Sequence, residues 1–259
     1  MKKKIIALGL VVALLVSCDT VKQIAISELG AMATGGGISG LGYDNASGLK
    51  QALLVGITNS VLNLNKENGY FGNTLLKILL PPEANTIVSN IGKIPGGQAM
   101  IDDVVLRLNR AAEDAAGTAT PIFTSAITSM SFSDATGILF GSDQAGATNY
   151  LKKATTNQLI AAFRPKIDAS LNKKLVGNIS TLQSWSTLTN AYNKVANSLI
   201  GQVANMKAVN TDLGGYVTQQ ALNGMFTSMG QEEQKIRQDP AARVNDVLKK
   251  VFGQLDNKK

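Results

Sequence analysis

Apolar residues recur every three or four positions through most of the chain, which is the spacing of one face of an α-helix. One clear stripe comprises Ile101, Val104, Val105, Leu108, Ala112 and Ala115. The same spacing predicts further helices over residues 48–67, 83–92, 121–130, 133–140, 146–175, 180–208, 213–229 and 240–255. No segment shows the alternation of a half-buried strand. The pattern therefore predicts an all-α fold, a single helical-bundle domain over residues 46–255.

Two of these helices carry a distinctive feature. Pro165 lies inside the stretch 146–175 and predicts a break or kink there, because proline removes a backbone donor. The apolar positions of residues 180–208 alternate three and four apart over more than three heptads. Their mixed sizes favour an internal helical hairpin over a dimeric coiled coil.

The final helix has the sharpest predicted boundaries. Asp239 is a good N-cap, and Pro240 suits the first helical position. One apolar stripe follows, made of Val244, Val247, Leu248, Val251, Phe252 and Leu255. Residues 256–259 are predicted to form a polar tail.

The first seventeen residues have the organisation of a targeting segment. Lysines at 2–4 precede an apolar run over 5–16, which is too short to span a bilayer comfortably. Ser17 and Cys18 follow, and a small residue before a cysteine at this place resembles the lipobox of bacterial lipoproteins. The resemblance implies that residues 1–17 are a signal peptide and that Cys18 carries a diacylglycerol thioether and an acyl chain such as palmitate. An ordinary secretory signal with a chance cysteine is the alternative.

Residues 18–45 are predicted to be the lipidated N-terminus and a flexible tether. The stretch 30–42 is too rich in glycine to sustain a helix or a core strand. A phosphate-cradling glycine loop is the alternative, but no Gly-Lys-Ser/Thr follows it. We expect a membrane-anchored lipoprotein of the bacterial cell envelope that faces the periplasm. Asp19 follows the cysteine, and an aspartate there resembles the inner-membrane retention signal of enteric bacteria. Other bacterial phyla use other rules, so the choice between inner and outer membrane stays open.

Composition excludes several classes of chemistry. The 259 residues include no histidine and one cysteine, so the chain alone cannot build a Ser-His-Asp triad, a Cys/His zinc site or an internal disulfide. We expect no cofactor and no metal. The net charge is +7, and losing three of 25 basic residues with the signal peptide, against none of 18 acidic ones, leaves +4. This charge is unclustered, so we expect no nucleic-acid partner.

Several sequence strings are specific enough to suggest a family. They occur at 48–53, 108–113, 147–151, 213–218 and 232–243, the last running into Leu-Lys-Lys-Val-Phe-Gly at 248–253. Together they resemble the domain-of-unknown-function family numbered 4197. The resemblance covers nearly all of the chain after the tether, and it implies an exported bacterial lipoprotein with a helical body. The family has no assigned activity, so it implies no catalytic residue.

Polar residues at the edges of two predicted helices are the candidate site. Asn109 and Glu113 border the apolar stripe, so they are expected to be half-buried and to need partners. The full set of candidates is Asn109, Arg110, Glu113, Glu232, Glu233, Arg237 and Arg243. We hypothesise that Glu113 binds Arg237 or Arg243 through a two-donor fork. The cluster is either a structural pairing or a site for an anionic or polar ligand.

Two classes of function remain compatible with these residues. The first is a non-enzymatic binding or structural module whose partners are the membrane, through the lipid anchor, and an unknown envelope protein or small ligand. The second is an envelope hydrolase in which two carboxylates act as acid and base. The candidate pairs for that chemistry are Glu113 with Glu233, or Asp134 with Glu232.

Overall fold

The computed structural model of the chain describes residues 45–90, 96–174, 178–206, 208–209, 212–244 and 246–258. The predicted signal peptide, Cys18 with its predicted lipid and the glycine-rich stretch lie outside these residues.

Within the described residues the chain is helical and contains no strand, which confirms the all-α prediction. The helices are α1 (Asn45–Asn65), α2 (Asn85–Asn90), α3 (Gly97–Ala116), α4 (Ala119–Thr128), α5 (Phe132–Phe140), α6 (Gly146–Asn172), α7 (Thr181–Ala196), α8 (Leu199–Val203), α9 (Leu213–Gln238) and α10 (Asp246–Phe252). Short 3₁₀ turns occupy Pro82–Ala84, Pro240–Ala242 and Gly253–Lys258.

The core lies where α6 and α1 meet the other long helices. α6 packs against α3, α4, α7 and α9, while α1 packs against α3, α4, α9 and α10. Leu108, Phe123, Leu159, Phe163 and Val217 are fully buried in this core. Burial of such apolar surface is the dominant stabilising term for a bundle of this kind.

Polar caps fix where two of the shorter helices begin. The Ser131 side chain accepts from the backbone of Asp134, whose carboxylate accepts in return from the Ser131 backbone, so α5 begins at Phe132. Ser180 and Gln183 form the same capping box at the start of α7. Each box satisfies backbone donors that the first turn of a helix leaves free.

The break predicted at Pro165 is absent, because α6 continues through this residue to Asn172. Proline removes the donor that would bond the carbonyl of Ala161. Both residues are exposed, so water can take the place of that donor. Burial of Phe163 and Ile167 on the opposite face keeps the helix continuous.

The heptad pattern predicted over 180–208 extends only to Ala196. Trp185, Leu188 and Tyr192 are buried, but Leu199 and Val203 are 81% and 86% exposed. The helix ends because Ser198 starts a new one: its hydroxyl accepts from the backbone of Gly201.

The final helix starts later than predicted. Asp239 and Pro240 open a 3₁₀ turn, and α10 begins at Asp246. Val244 is 70% exposed and does not join the apolar stripe, whereas Leu248, Val251 and Phe252 are buried as expected. Arg243 explains the interruption, because its buried side chain turns back onto the end of α9.

Candidate functional site

Glu113 fastens an irregular segment, residues 66–79, to helix α3. Its Oε1 atom accepts from the backbone N–H groups of Tyr70 and Phe71, both at 3.1 Å. Its Oε2 atom lies 2.5 Å from the guanidinium of Arg110. Glu113 is buried, so these charged hydrogen bonds compensate the cost of removing the carboxylate from water.

Asn109 holds the far end of the same segment. Its carboxamide accepts from the backbone N–H of Ile78 and donates to the backbone carbonyl of Ile78, both at 2.8 Å. The side chain also donates to Val105 within α3. Asn109 is fully buried and one helical turn from Glu113, so α3 fixes the segment at two points.

Tyr70 ties this segment to α9 as well. Its hydroxyl donates to the carbonyl of Ala221 at 2.8 Å. Burial, and next the nearby charge of Glu113, raise the pKa of Tyr70 far above its ordinary value, so the hydroxyl stays protonated. Tyr70 was not predicted from the sequence, because its contact with Glu113, 43 residues away, leaves no local signal.

Glu233 supplies the missing cap of helix α6. The residue before α6, Ala145, provides no side-chain cap. Glu233 accepts instead from the backbone N–H groups of Ala147 and Thr148, at 3.0 and 2.8 Å, and from the Thr148 hydroxyl at 2.9 Å. A carboxylate at a helix N-terminus also interacts favourably with the helix dipole.

Arg237 completes this second set of contacts. It donates to Glu233 at 3.0 Å and to the carbonyls of Ile138 and Leu139 at the end of α5, at 2.8 and 3.3 Å. Its guanidinium also lies 5.7 Å from the ring centre of Phe252. Arg237 therefore joins α5, α9 and α10.

Arg243 closes the C-terminal end of α9. It donates to the carbonyls of Ile236 and Arg237, at 2.9 and 3.2 Å, which are among the acceptors that the last turn of a helix leaves free. Two further bonds, at 2.6 and 2.9 Å, bind Asp256 through both carboxylate oxygens. This partner raises the pKa of Arg243 above its ordinary value.

The predicted polar residues therefore form two clusters rather than one. Helices α3 and α9 are in contact, but Glu113 pairs with Arg110, not with Arg237 or Arg243 as hypothesised. We call Asn109, Arg110 and Glu113 the α3 cluster. Glu233, Arg237 and Arg243 form the α9 cluster. Glu232 belongs to neither and is half-buried on the outer side of α9.

Three of the four carboxylates proposed for the catalytic pairs have other partners. Glu113 and Glu233 each bind two consecutive backbone N–H groups and an arginine, in separate clusters. Asp134 is exposed and serves the capping box, where hydrogen bonds from Ser131 lower its pKa. A lowered pKa is the opposite of what a general acid near neutral pH needs.

A polar groove runs along the outer face of α9. Its larger part, of about 640 Å³, lies between α9 and residues 143–152 at the start of α6. Its smaller part, of about 390 Å³, lies between α9 and residues 63–76. The two parts adjoin at Gln231, which lines both, and together they are called the α9 groove.

The two clusters fix the two walls of the α9 groove. The α3 cluster holds the segment around Tyr70 and Phe71, and the α9 cluster holds the first turn of α6 at Ala147 and Thr148. Both carboxylates work in the same way, since each binds two successive backbone N–H groups. The charged residues found from the sequence thus shape the groove from beneath rather than line its surface, with Glu232 as the exception.

Apart from Glu232, the residues that line the groove were not predicted from the sequence. Asn223, Thr227, Gln231 and Gln234 share the exposed face of α9. Their spacing of four, four and three was visible in the sequence, but an uncharged polar face also fits an ordinary solvent-exposed helix.

A second, apolar gap lies between α1, α6, α9 and α10. It is lined by residues such as Leu53, Ile57, Leu151 and Met229 and holds about 30 Å³, which is room for about one water molecule. It is a packing gap and too small for an organic ligand.

Two features are absent from the described residues. No cluster of three or more metal-binding side chains occurs in this part of the chain. Among the same residues, no helix combines the length and apolar character needed to cross a membrane.

The fold and the groove define an all-α helical-bundle protein with a polar surface groove. Residues 42–253 match the family described as Protein of unknown function (DUF4197), so the chain belongs to this family. The match agrees with the resemblance carried by the sequence strings. No curated protein sequence and no solved structure matches the chain.

Proposed function

We propose that this protein is a lipid-anchored, non-enzymatic binding module of the bacterial cell envelope, facing the periplasm, and that it holds its ligand in the α9 groove. The ligand is an envelope protein or a small molecule. The observation that carries the proposal is the way in which two buried carboxylates fix the walls of the groove. A binding site that is held rigid before the ligand arrives loses less conformational entropy on binding.

The cost of these contacts supports a role beyond packing. Glu113 and Glu233 are 4% and 7% exposed, and both require compensating partners. An apolar contact would attach residues 66–79 and the start of α6 at lower cost. Charged bonds to successive N–H groups instead set the direction of each backbone, which defines the shape of the space between them.

The N-terminal sequence supports the membrane anchor. The one cysteine of the chain stands directly after the apolar run, at the position where a lipobox is processed. Several acyl chains on one residue anchor a protein stably, whereas a single chain binds only reversibly.

The anchor is tested by expressing Cys18→Ser in a bacterial host and separating membranes from soluble protein after a high-salt wash. The matched control is Ser17→Ala, which keeps a small residue before the cysteine. We expect the control in the membrane fraction and Cys18→Ser outside it. A washed membrane fraction that retains Cys18→Ser contradicts the lipid anchor.

The binding role is tested by native mass spectrometry of the wild-type protein extracted from its own membrane. We expect a bound species whose signal decreases in Gln231→Ala, where the two parts of the groove meet. A bound species with unchanged occupancy in this variant places the ligand elsewhere and contradicts the assignment to the groove.

A further inference from the structure

We infer that the α9 groove binds an oligosaccharide that carries carboxylate groups. This inference rests on the proposed function and names the class of ligand.

Carboxamides dominate the floor of the groove. Asn223, Gln231 and Gln234 project from the exposed face of α9. A carboxamide offers both donors and acceptors, and a sugar hydroxyl likewise donates and accepts. A row of carboxamides along a helix can therefore bond successive hydroxyls of one chain of sugars.

The walls of the groove also carry carboxamide side chains. Gln144 and Asn149 stand on the α6 side, and Asn63, Asn68 and Asn73 stand on the other. Each part of the groove, at about 640 and 390 Å³, lies within the range of typical ligand pockets, about 300–1,000 Å³. The groove is open, which suits a polymer entering from the side.

The charges in the groove favour an acidic ligand. Lys66, Lys152 and Lys235 line it against two acids, Asp143 and Glu232. Asp143 already accepts from the backbone of Ala145 and the side chain of Asn149, which lower its pKa. Within the described residues none of these three lysines forms an ion pair. Lys66 donates to Asn63 and Lys152 lies 5.9 Å from the ring centre of Phe226, but neither contact neutralises the lysine charge, which a ligand carboxylate can therefore meet.

A peptide ligand fits the groove less well. Extended peptides add to a sheet edge, helical ones need an apolar groove, and proline-rich ones need exposed aromatic rings. The described residues contain no strand. Phe226, the aromatic residue of the groove, is only 6% exposed. A hydroxyl-bearing polymer requires none of these three features.

The test is isothermal titration calorimetry on the full-length protein in detergent. The probes are trigalacturonate, which is acidic, maltotriose, which is neutral, and a Gly-Ser decapeptide. We expect trigalacturonate to bind with a millimolar or tighter Kd, more tightly than maltotriose, and more weakly as salt is added.

Variants locate the binding. We expect Gln231→Ala to weaken trigalacturonate binding about fivefold to tenfold, and Lys66→Gln with Lys235→Gln to weaken it and reduce its salt dependence. The matched control is Gln158→Ala, an exposed carboxamide on α6 outside the groove, which should bind as the wild type does. Thermal melting confirms that each variant is folded.

The inference is overturned if trigalacturonate does not bind, if Gln231→Ala and Gln158→Ala bind it equally, or if the decapeptide binds in its place. The outcomes that reject the sugar ligand differ from those that reject the proposed function. A co-purifying species that is lost in Gln231→Ala, combined with no binding of trigalacturonate, rejects the sugar ligand and keeps the binding module.

Discussion

The ring of Tyr70 lies directly against the backbone of Gly224 in α9. A methyl group on Gly224 would come within 2.9 Å of Tyr70 Cε1. The Tyr70 hydroxyl meanwhile bonds to Ala221, one turn earlier in the same helix. The absence of a side chain at Gly224 thus allows the 66–79 wall of the groove to lie close to α9.

We expect Gly224→Ala to destabilise the protein. Overpacking in a core costs about 1–3 kcal/mol, which exceeds the gain of about 0.5–1 kcal/mol from replacing glycine in a helix. The matched control is Gly137→Ala in α5, where a methyl group meets nothing within 4 Å, so this variant should gain stability. Urea unfolding of both variants provides the measurement. A Gly224→Ala variant as stable as the control contradicts the close contact.

We expect the two buried carboxylates to differ in their contribution to stability. Glu233→Gln removes the charge partner of Arg237, whose side chain is 3% exposed, and an unpaired buried charge costs about 3–5 kcal/mol. Glu113→Gln should cost less, about 1–3 kcal/mol. One oxygen can still accept from Tyr70 and Phe71, and Arg110 keeps its contact with Glu67. Urea unfolding measures the free energy of unfolding of both variants. A larger loss in Glu113→Gln than in Glu233→Gln contradicts the structure.

Double-mutant cycles check which arginine belongs to which carboxylate. Glu233→Gln and Arg237→Gln should couple strongly, because the two side chains are bonded. Glu113→Gln and Arg237→Gln should add to within about 0.5 kcal/mol, as independent sites do. Strong coupling in the second cycle would instead support the pairing of Glu113 with Arg237 that the sequence suggested.

We expect a charge to be tolerated at Val244, which precedes α10, and not at Phe252 within this helix. Phe252→Asp places a carboxylate at a residue that is 2% exposed, which should cost several kcal/mol. Val244→Asp, at 70% exposure, should be close to neutral. Thermal melting distinguishes the two, and similar losses would place Val244 in the core after all.

Acid should weaken the start of α9. The Asp212 side chain binds the Arg164 guanidinium through both oxygens, at 2.7 and 2.9 Å, and this partner lowers the pKa of Asp212. Because the pKa is lower when folded, the stabilisation is present above the unfolded pKa and is lost as pH falls through the folded one. Asp212→Asn should therefore lose less stability than the wild type between about pH 5 and pH 2. The difference is small because Asp212 is exposed, and equal losses contradict the assignment.

The sequence predicted helices well where periodicity and burial agree. The stripe from Ile101 to Ala115 is the buried face of α3. Predictions from single residues were less successful, since Pro165 does not end α6 and Pro240 does not begin α10. Tertiary packing on the opposite face outweighs one missing donor, and the buried Arg243 redirects the chain after α9.

The sequence by itself determined the helical class and the family. It also indicated that Asn109 and Glu113 need partners, because a polar group beside an apolar stripe must find one wherever it lies. Only the tertiary structure decided who those partners are. Glu113 meets Tyr70 across 43 residues, and Glu233 meets Ala147 across 86. Local spacing contains no information about such contacts, since they depend on how the helices pack. The α9 groove follows from the same packing, because its walls come from segments far apart in the chain.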